Sequence, residues 1–274
     1  ITGSMMDEFG MNEGLEDKRE LDLQAPVHEE GKPEISDLSQ KGYLYLKENR
    51  IADDRMSEVL SNIKIHSKLE DMVNADIVIE TVTEDLELKK SVFRSLDTIC
   101  RQGVVLASNT SSLSITALAS ATKRPESVIG IHFINPARVM KLVEIVSGMA
   151  TTRETVETAK ELTKKLGKVH AESQDYPGFL LNRILVPMIN EAIYALYEGA
   201  GSAASIDRVM KQGMNLPMGP LELADMIGLD VVLAVIEQLF RGFSDPKYRP
   251  CPLLKNYVAA GYLGRKSGRG FYSY

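Results

Sequence analysis

Apolar and polar positions change rhythm along this chain, and each rhythm predicts a different kind of structure. Up to about Leu38 the periodicity is weak and broken by Gly10, Gly14, Pro26, Gly31 and Pro33, which predicts a loosely structured arm. Beyond it, short apolar runs alternate with helical patterns. Asn62–His66 alternates in character as a strand does, Leu69–Ala75 suits a short helix, and Ala75–Ile79 is a β-branched run of the kind buried on both faces of a parallel sheet. Val92, Phe93, Leu96 and Ile99 fall at helical spacing, Val104–Ala107 reads as strand, Ser114–Ala121 as helix and Val128–Phe133 as strand again. That βαβαβ order predicts a parallel sheet. Leu142–Val146 adds a strand, Glu154–Leu166 a helix, and Val169–Glu172 a last strand before the break at Tyr176-Pro-Gly178. From there the pattern is helical until a final strand at Phe271–Tyr274. Phe179–Glu198 is an unusually apolar helix with Pro187 inside it, which predicts a kink and burial between domains or subunits. Ser205 and Asp207 open a further helix, and Pro220, Leu229 and Pro252 lie near the starts of others. An α/β half followed by an all-α half is the organisation expected, with the boundary near residues 173–178.

Composition narrows the setting. At 274 residues and 44% hydrophobic the chain can bury a sizeable core, so disorder is not the whole answer. Its two cysteines, Cys100 and Cys251, form no metal-spaced pair and make too thin a disulfide framework for a secreted protein. There is no run of 18 apolar residues and no signal-peptide pattern, so a soluble, cytoplasmic protein with no membrane partner is expected. The formal charge of -6 argues against general phosphate attraction, and no nucleic-acid partner is expected. Residues 1–40 hold three basic and eleven acidic side chains, a net -8, so the rest of the chain is close to neutral at +2.

Chemistry in such a layout is expected just past the carboxyl ends of the parallel strands. The polar residues there act in concert: Ser108-Asn-Thr-Ser-Ser112 follows one strand, His132 ends another and leads to Asn135-Pro136, and Glu144 sits within the next. Singly each is weak, since Ser112 suits a helix N-cap and a lone histidine is most often structural. Together with their surroundings they carry a resemblance. The segments SNTSSLSIT, GIHFINPARVMKLVEIV, DYPGFLLNRIL and NLPMGPLELADMIGLD, with the ending LGRKSGRGFYSY, closely resemble the 3-hydroxyacyl-CoA dehydrogenase family, particularly its 3-hydroxybutyryl-CoA branch.

That resemblance implies a Rossmann-like α/β domain over residues 1–175, of which 1–37 is an atypical acidic arm, and an all-helical substrate and dimerisation domain over 176–274. It implies NAD as cofactor, an acyl-CoA substrate of short chain and a homodimer. By position, His132 corresponds to the general base, Glu144 to the carboxylate that orients it, and Ser111 and Asn182 to polar residues near the substrate oxygens. Each role has a physical reason: imidazole titrates near neutrality, a carboxylate fixes its tautomer, and preorganised dipoles stabilise a developing carbonyl or alkoxide. An amide such as Asn182 among Leu, Ile and Met is costly unless it has a partner. Glu84 and Lys89 fall where the family contacts the nicotinamide cofactor, with Asn109, Asn135 and Lys266 as further candidates. Without the family, Glu84 and Lys89 read as two exposed charges at a helix start. Lys41, Lys47, Arg50 and Arg55 are candidates for the CoA phosphates.

The resemblance fails at the N-terminus. The family opens with a strand and G-x-G-x-x-G entering a helix, but constant spacing puts Thr2-Gly-Ser-Met-Met-Asp7 at that loop and Ala25 where an acidic residue holds the adenine ribose. Asp7 would present a negative charge to a pyrophosphate. Weak NAD binding is therefore expected, and two function classes stay open: a working dehydrogenase, or a non-catalytic relative that binds acyl-CoA or serves as a dimerising structural protein.

Overall fold

The structure, a computed structural model, describes residues 61–274. The acidic arm, the segment aligned with the glycine loop, and Lys41, Lys47, Arg50 and Arg55 lie outside the described residues. Five strands form one sheet in sequential order: β1 (Ile77–Glu80), β2 (Val105–Ser108), β3 (Val128–Phe133), β4 (Leu142–Ser147) and β5 (Val169–Gln174). The first three are parallel, joined through helices α1 (Leu86–Ile99) and α2 (Ile115–Ala119). β5 is parallel to β4 across α3 (Arg153–Lys165).

One strand direction departs from the expected parallel sheet: β4 runs antiparallel to β3. The cause is the length of the connection. Residues 134–141 are too few for a parallel crossover, which takes a dozen residues or more, but suffice for a return.

Each helix start has a local cause. Asp85 caps α1 by accepting from Leu88 N, and Ser114 caps α2 through Ala117 N. The alternation within the strands then sorts side chains onto two faces. Leu106, Val128 and Val146 pack with Phe93 and Leu96 of α1 and Ile115 and Leu118 of α2. Val105, Ala107, Ile129, Ile131 and Val143 face the other way, against Ala159 of α3. Gly130 lets α2 lie close on β3, because a Cβ there would stand 2.8 Å from Val146 Cβ and 2.9 Å from Ile115 Cδ1.

The helical half comprises α4 (Leu181–Tyr197), α5 (Ala203–Gly213), α6 (Pro220–Ile227), α7 (Leu229–Phe243) and α8 (Pro252–Ala259). They enclose a second core of Ile189, Ile193, Leu221, Leu229, Val232, Ile236, Leu239 and Leu254. Pro187 lies inside α4, as its sequence indicates.

Three expectations need correction. Asn62–His66 forms no strand; its residues are mostly exposed, and a pleated run is stabilised only by neighbours to pair with. Phe271–Tyr274 makes an isolated bridge in place of a strand, because Phe271 N and Tyr272 N donate to the Asp225 carboxylate and not to a neighbouring strand. Helix α5 is capped by Ser202, while Asp207, expected to open it, is buried and accepts from Leu221 N and Glu222 N at the start of α6.

Candidate active site

The antiparallel turn between β3 and β4 creates the central pair. His132 and Glu144 are register partners across the ladder, so both side chains leave the sheet on the same face, side by side. His132 Nδ1 lies 2.8 Å from Glu144 Oε2, with the two side chains 10% and 1% exposed. The other carboxylate oxygen, Oε1, accepts from the backbone N–H groups of Leu180 at 3.0 Å and Leu181 at 2.9 Å. Those are the first groups of α4, a helix with no side-chain cap of its own. Glu144 therefore caps a helix of the other half of the molecule while it holds the histidine. Burial pushes its carboxyl group up, but the bonds from His132, Leu181 and Leu180 outweigh burial and leave its pKa below the usual carboxylate value.

With Glu144 ionised, Nδ1 is the nitrogen that carries the hydrogen, which leaves the Nε2 lone pair to accept a proton. Phe179 meets the imidazole edge-on, with ring centroids 5.9 Å apart.

A second cluster occupies the carboxyl ends of β1 and β2. Glu84 Oε1 accepts from Thr110 Oγ1 at 2.5 Å, Ser112 Oγ at 2.7 Å and Ser111 N at 3.2 Å, so the serine-rich loop wraps around one carboxylate oxygen. Oε2 is 3.5 Å from Lys89 Nζ. Lys89 is no exposed charge at a helix start: its side chain is 1% exposed, bonded to Glu80 Oε1 at 2.8 Å and to the Val82 carbonyl at 2.9 Å. Glu80 also accepts from Ser108 Oγ at 2.7 Å. Asn109 bridges toward the histidine strand, its Oδ1 accepting from Phe133 N at 2.9 Å.

The two clusters meet at the domain junction. Asn182 Nδ2 donates to the Ser111 carbonyl at 3.4 Å, and Gln238 of α7 donates to the Ser112 carbonyl. Asp175, at the end of β5, accepts from Ser114 Oγ, Ile115 N and Thr116 N, tying the start of α2 to the same junction. Sequence reasoning brought His132, Glu144, Ser111, Asn182, Glu84, Lys89 and Asn109 to this end of the sheet. Asn135 comes two residues after the end of β3. Lys266 stands elsewhere, in the helical half, where its ammonium pairs with Asp230 at 2.8 Å. Glu80, Asp175, Phe179 and Gln238 were missed. Of these only Glu80, a lone acid closing an apolar strand, left a signal in the sequence.

A solvent-open cavity of about 480 Å³ lies apart from this site, lined by Asp207, Arg208 and Lys211 of α5 and by Tyr272–Tyr274. Among the described residues no group of histidine, cysteine and acidic side chains is placed to hold a metal, and no helix is long and apolar enough to cross a membrane.

Residues 20–176 match the model of the 3-hydroxyacyl-CoA dehydrogenase NAD-binding domain, and residues 178–274 match that of the 3-hydroxyacyl-CoA dehydrogenase C-terminal domain. The chain belongs to the 3-hydroxyacyl-CoA dehydrogenase family. Among relatives, it is 54% identical over 222 residues to a probable 3-hydroxybutyryl-CoA dehydrogenase of Bacillus subtilis, covering 81% of this chain and 77% of that protein. The mitochondrial hydroxyacyl-coenzyme A dehydrogenase of Homo sapiens is 38% identical over 82% of this chain and 72% of its own length. The crystal structure of the (S)-3-hydroxybutyryl-CoA dehydrogenase of Ralstonia eutropha superposes with a TM-score of 0.83 at 44% identity, covering 92% of this chain and 89% of that one.

Membership in the 3-hydroxyacyl-CoA dehydrogenase family settles the class: an NAD-dependent enzyme, with nothing favouring the non-catalytic alternative. The described residues fit the nicotinamide side of that cofactor. Glu84 is 23% exposed and keeps Oε2 turned from the serine loop, an acceptor suited to a ribose hydroxyl.

Proposed function

We propose that the chain interconverts short-chain 3-hydroxyacyl-CoA and 3-oxoacyl-CoA, with His132 as general base. The observation that carries this reading is the buried His132–Glu144 pair, capped by the helical half and held at the end of the sheet beside the serine loop. His132 Nε2 takes the proton of the substrate 3-hydroxyl as that carbon is oxidised, and Glu144 stabilises the imidazolium that results. NAD, when bound, supplies the hydride acceptor. The Ser111 hydroxyl and the Asn182 amide donate to the oxygen that becomes the carbonyl, where fixed dipoles in a buried cleft act most strongly. Glu84 and Asn109 hold the nicotinamide end of the cofactor site. Lys89 stands buried between Glu84 and Glu80 and supports the cofactor side through them, and Asn135 is a further residue for the cofactor.

The choice of a short acyl chain rests on the relatives named for 3-hydroxybutyryl-CoA. We take the boundary between cofactor and substrate domains to fall near residues 173–178, with the domains as 1–175 and 176–274, and a reducing cytoplasm suits the buried free thiols Cys100 and Cys251. The roles are tested by the turnover of His132→Gln, expected to fall by about 10²- to 10⁴-fold with little change in acyl-CoA affinity. Wild-type turnover in that variant would make the histidine structural.

A further inference from the structure

The junction between the halves contains a residue in a conformation its side chain disfavours. Phe179 has φ +51°, in the left-handed region that residues with a Cβ rarely adopt. It is 2% exposed. It follows Gly178, itself at φ +75°, where a Cβ would come 2.6 Å from Leu239 Cδ2. The turn is closed by Phe179 N–H donating to the Tyr176 carbonyl at 2.9 Å. Such strain persists only where the surroundings over-determine it, and it concentrates at functional sites.

The surroundings here are specific. The Phe179 ring belongs to the sheet-side core with Phe93, Leu96 and Ile115, although its place in the chain is the entrance to the helical half. Its edge-on contact with His132 comes from that position. The next two residues, Leu180 and Leu181, are those whose N–H groups reach Glu144. One backbone turn thus places an apolar wall beside the imidazole and aims a helix start at the carboxylate behind it.

We propose that Phe179 is a positioning residue for the reaction: it sets the plane of the His132 imidazole and the alignment of Glu144 with the start of α4. The proposal rests on the reading of His132 and Glu144 as base and orienting carboxylate, and it adds a residue that acts only through them.

A double-mutant cycle on turnover separates this role from simple packing. Phe179→Leu is expected to lower kcat about tenfold while KM for 3-hydroxybutyryl-CoA stays within about twofold. In the Glu144→Gln background the same substitution is expected to lower kcat by less than about threefold, because the orientation it supports is already lost. Phe179→Tyr, which keeps the ring, is expected to restore most of the turnover. Equal losses in both backgrounds, wild-type kcat in Phe179→Leu, or a tyrosine variant no better than leucine would overturn the proposal. Should leucine fail to fold, Phe179→Met enters the same cycle, and a chain that folds with none of these side chains at 179 would assign the residue to stability alone. Wild-type kcat in Glu144→Gln itself would instead overturn the underlying reading of the pair.

Discussion

Two residues of the site carry opposite burdens from burial. Glu144 is ionised in a position closed to water, and its pKa is held below the usual value by His132 and two helix N–H groups. A carboxyl group whose folded pKa is depressed contributes stability above the unfolded value and loses it as pH falls through the folded one. Acidification through and below the ordinary carboxylate range should therefore weaken the fold, and urea midpoints measured against pH should slope less steeply in Glu144→Gln. At neutral pH that variant should also be less stable, by about 1–2 kcal/mol, the worth of a helix cap. Lys89 is buried against Glu80, with both side chains 1% exposed. Removing one partner leaves an uncompensated charge, so Lys89→Met should cost about 3–5 kcal/mol in denaturant unfolding, and Glu80→Gln added to it should recover part of the loss. His132 drew attention by closing a strand, but the pairing with Glu144, which lies within β4, came only through the family resemblance. The burial of Lys89 was not legible in the sequence, because it depends on Glu80, whose position beside Ser108 follows from strand register and not from local pattern.

The elements themselves were easier to read than their directions. Short apolar runs and helical spacing located all five strands of the sheet to within a few residues, while the alternating stretch Asn62–His66 misled. They did not say which way β4 runs, and that direction is what makes His132 and Glu144 neighbours. The short stretch 134–141 held that information in its length alone. Caps were partly misread for a related reason: Asp207 looks like the opening residue of its own helix, but tertiary packing directs its carboxylate to the start of α6 and to Tyr272 Oη, at 2.7 Å. Asp207→Ala would strand those three donors, one of them in a buried cap. Chemical denaturation should show a loss of at least about 2 kcal/mol, with turnover per folded molecule unchanged, since Asp207 stands outside the catalytic cluster. A loss within experimental error would mean that water replaces the carboxylate at no cost.

At the scale of the whole molecule, the site exists only because the halves are locked together. Glu144 caps α4, Asn182 and Gln238 reach back to the serine loop, and Asp175 ties the junction to α2. Exposed apolar side chains on the helical half, Ile184 and Tyr197 on α4 and Val209 on α5, also suit a homodimer, which sedimentation at micromolar concentration should detect; a monomer there would exclude it. The most direct test of the account is the rate of NADH formation from 3-hydroxybutyryl-CoA with NAD raised until the rate no longer increases, in the wild-type chain and in His132→Gln. The account predicts turnover in the wild type and a loss of about 10²-fold or more in the variant. No NADH formation at any NAD concentration, or equal rates from the two chains, would contradict it.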